Sequence, residues 1–152
     1  MNTDVREQES VFKSAGFDGC ISSSDGTHIP MLKCTQWAND IHKGFKLNMP
    51  GRTYNVTVDH LRRTLGSTAD HPGTWNDKTL ILFDESICSI HNGKLYENYE
   101  FKLYEKDVDN KIHQITYKGV WFIVDNGYLP WSCTVPPSSN ETTYDIIRFQ
   151  SG

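Results

Sequence analysis

Hydropathy along this chain breaks into short stretches with two different periods. Residues 120–124, Val-Trp-Phe-Ile-Val, are apolar without a break and all β-branched or aromatic, as suits a strand buried on both faces. The run stops at Asp125, and Asn126-Gly127 follows as a turn pair. Residues 52–60 alternate instead. There Tyr54, Val56 and Val58 interleave with Thr53, Asn55 and Thr57, the two-residue period of a half-buried strand, and residues 61–69 supply its antiparallel partner. Residues 20–25 read as a short strand ended by Gly26; residues 27–32 are again extended, with Pro30 marking an edge or strand end. Three-to-four spacing enters at Leu80, Phe83, Ile87 and Ile90, one apolar face of a single helix. Thr74 or Asn76 can cap it, Asp77 lies in its first turn, and Asn92-Gly93 stops it. Residues 101–105 and 111–117, parted by a polar turn at 107–110, form a β-hairpin. Residues 1–15 are a short amphipathic helix or a loose lead-in, 33–43 a polar connection, 70–73 a turn and 135–140 a rigid loop.

The order is strand, strand, strand, helix, hairpin insert, buried strand. It fits an α/β domain with an RNase H-like mixed sheet, a flanking helix and a β-hairpin insertion. In that layout the first and fourth long strands are neighbours, and Asp25 and Asp125 finish side by side. The carboxyl edge of such a sheet is where ligands and catalytic groups gather. The structural alternative for Asp125 is a turn cap bonded to its own backbone.

Length and composition narrow the class. The chain has 152 residues, one domain's worth, with 37% apolar and 22% charged residues, which is globular rather than disordered. Its net charge of −4 offers no global basic field, so contact with nucleic acid needs a local patch or a separate basic domain. Lys43, Lys46, Arg52 and Arg62-Arg63 could form such a strip or a solvated face. No window has the apolar length of a membrane helix, and residues 1–14 carry no signal-peptide core. The expectation is nucleus or cytoplasm, with no membrane partner. Cys20, Cys34, Cys88 and Cys133 are widely spaced and expected to be buried free thiols. With His28 and His42 added, Cys20 and Cys34 still match no standard zinc spacing.

Two aspartates at neighbouring strand ends repel unless a cation lies between them. Mg²⁺ or Mn²⁺ accepts carboxylate and phosphate oxygens, and such ions activate water for phosphodiester cleavage. Asp25 and Asp125 are therefore the candidate catalytic and metal-binding residues. Asp77 is a lesser metal candidate, because its place at a helix start explains it structurally. Asp59-His60 could be a further ligand or a solvated turn pair. His28 could contact phosphate or be a strand histidine packed against Trp37 or Tyr54. Tyr128 and Trp131 could line the mouth of the site or simply pack.

Four blocks then carry a family resemblance: Ser24-Asp-Gly-Thr-His-Ile-Pro30, Arg52-Thr-Tyr-Asn-Val-Thr57, Pro72-Gly-Thr-Trp-Asn-Asp-Lys-Thr79 and the stretch from Val124-Asp-Asn-Gly-Tyr128 to Pro137. Together, over about residues 16–149, they resemble the DDE endonuclease domain of PIF/Harbinger-type transposases. The resemblance implies an RNase H-like fold and a divalent-metal (Mg²⁺ or Mn²⁺) nuclease acting on transposon-end DNA, with a separate DNA-binding partner protein possible. Asp25 matches the family's first catalytic aspartate and Asp125 its second. The third carboxylate is a glutamate on a later helix, and the chain stops short of it; Glu141 does not match that motif. The resemblance thus implies a partial domain, residues 16–152, incomplete at its C-terminus and weak or inactive in cleavage. The alternative is a catalytically dead module that binds DNA or protein.

Overall fold

A computed structural model describes residues 5–43 and 49–137 of the chain. Helix α1 (Val5–Ser14) leads through a turn into β1 (Cys20–Pro30). Helix α2 (Gln36–His42), β2 (Gly51–Val58), β3 (Thr64–Ser67) and β4 (His71–Pro72) follow. Then come α3 (Asp77–Leu80), a 3₁₀ turn (Ile81–Phe83) and α4 (Glu85–His91). The hairpin β5 (Glu100–Lys106) and β6 (Ile112–Lys118) precedes β7 (Trp121–Ile123) and β8 (Thr134–Val135). The main sheet runs β3-β2-β1-β7-β8, with β4 also on β2. β1 is antiparallel to β2 and parallel to β7, so this is an α/β domain built on a mixed sheet. The first and the buried late strand are neighbours, as the element order requires.

Alternation along β7 divides the core into two layers. Phe122 and Val124 pack with Ile21, Ile81, Ile87 and Ile90 on the α3–α4 side. Trp121 and Ile123 turn to the other side and meet Cys20, Phe12 of α1 and the hairpin residues Phe101, Leu103 and Tyr117. The Trp121 indole N–H, taken out of water, donates to the Asp18 carbonyl at 2.8 Å. Among the described residues no helix is long and apolar enough to cross a membrane.

Several expectations are corrected. Gly26 does not end the first strand: it pairs with Asn55, and β1 continues to Pro30. The polar connection contains α2, whose start was written in Thr35; its hydroxyl accepts the Ala38 N–H at 3.3 Å. The single helix is two short ones. Asp84 interrupts it, because its carboxylate caps α4 through the Ile87 N–H (3.0 Å) while the other oxygen takes the Asn55 amide (2.7 Å). Phe83 accordingly leaves the core for an exposed aromatic group, 4.9 Å from Trp75 and 5.2 Å from His71 between ring centroids. The residues before Gly73 form β4 rather than a bare turn. Thr134 and Val135 add a strand where a loop was expected to begin; residues 138–140 of that loop and the later segment lie outside the described residues.

β2 inverts the expected polarity. Thr53, Asn55 and Thr57 are buried, whereas Tyr54, Val56 and Val58 are only half-buried. Burial of those polar groups is tolerable because they bond one another. Asn55 donates to Ser24 Oγ at 3.0 Å and to Asp84, the Thr57 hydroxyl donates to Ser24 Oγ at 3.1 Å, and the Tyr128 hydroxyl donates to Asn55 Oδ1.

All four cysteines are free, but only Cys20 and Cys133 are buried; Cys34 is exposed and Cys88 half-buried. Burial pushes the Cys20 and Cys133 thiols up to about 12, and raises Cys88 as well, with the Asp84 charge adding to it. The thiolate is the reactive form. Iodoacetamide at neutral pH is therefore expected to label Cys34 first, with Cys20 and Cys133 reacting only after denaturation. Mass spectrometry of timed samples checks the order; early labelling of Cys133 would contradict this packing.

Candidate acidic site

Parallel pairing aligns β1 with β7 at Ser23 opposite Ile123, and continuing that register brings Asp25 level with Asp125. β7 ends at Ile123, so Asp125 lies just past a strand end, while Asp25 sits within β1 where that strand runs on beyond its neighbour. Both side chains are exposed. Each is partly engaged by its own turn or strand. Asp25 Oδ1 accepts the Gly26 N–H at 2.7 Å, and Asp125 Oδ1 accepts the Gly127 N–H at 2.8 Å. The turn-capping role expected as the alternative for Asp125 is thus present. The Oδ2 atom of each accepts no hydrogen bond among the described residues.

Asp77 joins them from α3. Asn76 caps that helix, accepting the Thr79 N–H at 2.9 Å, and so sets Asp77 at its first position. The half-buried Asp77 carboxylate reaches between β1 and the loop after β7. A Cβ at Gly26 would collide with Asp77 Oδ1, and one at Gly127 would stand 2.7 Å from Asp77 Oδ2 and 2.9 Å from Asp125 Oδ1. Two glycines thereby leave the room that the carboxylates use. Strand alternation turns Asp25 away from the face that carries Ser24 and Gly26, so Asp25 and Asp77 flank β1 from opposite sides.

Tyr128 registers all three. Its phenol is pushed well above its ordinary value, foremost by burial and then by the negative charge of Asp77; Asp25 and Asp125 add to this and a hydrogen bond with Ser24 opposes it. Tyr128 therefore stays a neutral donor beneath the three acids. It does not simply line a mouth, since its hydroxyl is tied to Asn55. Trp131 packs instead, stacked on His91 at 4.1 Å between centroids.

The remaining candidates lie elsewhere. His28 is a packed strand histidine, set against Thr53, Gly51 and Gly73: Nδ1 bonds Thr53 Oγ1 at 3.2 Å and Nε2 abuts Gly51. Asp59 is in a turn but not solvated. It is buried, and although burial raises its pKa, the Arg63 and Leu61 N–H groups and the Arg63 guanidinium outweigh that and hold it below the ordinary carboxylate range. Arg63 is thus spent on Asp59, and Arg52 pairs with Asp70 at 3.1 Å, which takes two of the five residues of the expected basic strip; Lys46 lies outside the described residues.

A hard divalent ion suits this donor set of carboxylate oxygens around glycine-made space. Among the described residues, however, no group of three or more His, Cys, Asp or Glu side chains is close enough to hold an ion by itself. Mg²⁺ commonly binds through one or two carboxylates and leaves its other positions to water and substrate phosphate, so the pairing of Asp77 with Asp125 is compatible with it. Asp84 and Asn55, which brace Tyr128, were missed from the sequence; the one available signal was an N-cap residue inside a helical pattern. No family model, curated protein or solved structure matches this chain.

Proposed function

We propose that this chain is a divalent-metal-dependent phosphodiesterase domain of RNase H-like architecture, acting on DNA. The observation that carries the reading is the meeting of the Asp77 and Asp125 carboxylates at Gly127, on a rim of the mixed sheet where the strand register also brings Asp25 level with Asp125. The likeness of its motifs to PIF/Harbinger-type transposases supports the same chemistry. In this reading Asp77 ranks with Asp125 rather than below it, because their oxygens share one glycine-bounded space.

Asp77 and Asp125 would hold Mg²⁺ or Mn²⁺, leaving its other positions to water and substrate phosphate, with Asp25 on the neighbouring strand at the same rim. When bound, the ion supplies Lewis-acid activation of water and neutralises charge on the phosphate. Gly26 and Gly127 keep the space that the Asp77 and Asp125 carboxylates use and that a larger residue would fill. Tyr128, kept neutral, anchors the rim from below through Asn55.

Calorimetric titration with Mn²⁺ tests this. The wild-type chain is expected to bind one ion, and Asp77→Asn or Asp125→Asn to weaken it at least about tenfold, or about 1.4 kcal/mol. Nicking of supercoiled plasmid should require Mn²⁺ and stop with EDTA. Nicking that survives Asp125→Ala, or Mn²⁺ binding indifferent to both substitutions, would refute the assignment.

A further inference from the structure

The hairpin β5–β6 forms its own two-stranded sheet, and its two faces differ in charge. Cross-strand pairs share a face. Phe101–Tyr117 and Leu103–Ile115 belong to the face that packs on the body, and Glu105–His113 continues it outward. The acids near that face are engaged: Glu105 accepts the Tyr117 hydroxyl, and Asp107 bonds His113 at 2.7 Å. The opposite face presents Lys102, Tyr104, Lys106, Gln114, Thr116 and Lys118, with the apolar Ile112 across from Lys106, all exposed. Its one acid, Glu100 at the root, lies 3.8 Å from the Lys118 ammonium. Lys102 and Lys106 form no ion pair among the described residues. Three lysines against one glutamate make this face locally positive in a chain of net charge −4.

We infer that this outer face of the hairpin binds the phosphate backbone of duplex DNA. The choice of DNA rests on the function proposed above. A two-stranded ribbon fits the major groove, which is about 12 Å wide. Four residues of strand separate Lys102 from Lys106, about 13 Å, so the two ammonium groups can reach two phosphates along the backbone. Between them, Tyr104, Gln114 and Thr116 carry hydrogen-bonding groups; Gln114 already donates to the Tyr104 hydroxyl at 3.1 Å. β6 passes through Gly119, at φ +95°, into the start of β7, whose far end leads to Asp125.

The test is fluorescence anisotropy of a labelled duplex with the full chain, in EDTA, across a range of KCl. The expected result is salt-sensitive binding that Lys102→Gln/Lys106→Gln weakens roughly tenfold at about 0.1 M salt, with the slope of log K against log salt reduced by about 1.8. Lys102→Arg/Lys106→Arg should retain binding, and Lys13→Gln/Lys94→Gln should behave as wild type. Circular dichroism confirms that the variants are folded. Absence of duplex binding by the wild-type chain, or a salt slope unchanged in the Gln variant, would overturn the inference. Since no divalent ion is present, failure of the acidic site shows instead as lost Mn²⁺ binding with this DNA result intact.

Discussion

Asn55→Ala is expected to destabilise the domain by about 3 kcal/mol, the sum of several groups left short of partners. Asn55 is fully buried and serves three others: it donates to Ser24 Oγ and Asp84 Oδ2 and accepts from Tyr128. Truncation leaves a carboxylate oxygen and a phenol facing a cavity. Buried polar groups without partners each cost about 1–3 kcal/mol, whereas the lost side-chain contacts of an asparagine are minor. Asn55→Asp keeps the shape but sets a second carboxylate against Asp84, so it should be at least as damaging at neutral pH. Urea denaturation of both variants measures this. A cost near zero for Asn55→Ala would mean that the network contributes nothing to holding β1, β2 and α4 together.

Phe122→Ala is expected to cost about 3–5 kcal/mol, typical of an aromatic removed from a packed core. Its side chain is wholly buried with Ile21, Ile81 and Ile87, and its backbone is bonded on both sides within the sheet. Against a total stability of about 5–15 kcal/mol, the loss lowers Tm by roughly 10 °C. Phe83→Ala is the informative contrast. A continuous helix would make Phe83 a core residue, whereas it is 52% exposed beyond the break at Asp84. Its removal should cost about 1 kcal/mol, the worth of its contacts with Trp75 and His71. Calorimetric melting of the two variants separates the cases, and equal losses would rule out the interrupted helix.

Much of the local structure could be read from residue order alone. The hairpin, the alternating strand with its antiparallel partner, the run through Phe122 and the turn after Asp125 all express short-range rules. Those rules concern which side chains suit extended backbone and which residues turn it. Asp25 and Asp125 could be singled out for the same reason, since each interrupts or borders a strand. The α/β class with a mixed sheet followed from the order of elements.

Tertiary contacts decided the rest. Hydropathy could not show that the Thr53, Asn55 and Thr57 side of β2 is the more buried, because partners for those groups come from Ser24, Asp84 and Tyr128, far apart in the chain. Asp84 reads as one polar residue in a helical pattern until Asn55 is beside it. The standing of Asp77 changed for the same reason. Its helix start explains the residue locally, but its carboxylate lies between Gly26 and Gly127, which only the packing of α3 over β1 and the loop after β7 brings together. Backbone preference acts between neighbours in the chain and is visible in order; desolvation and charge act through space and are set by which segments the fold brings together.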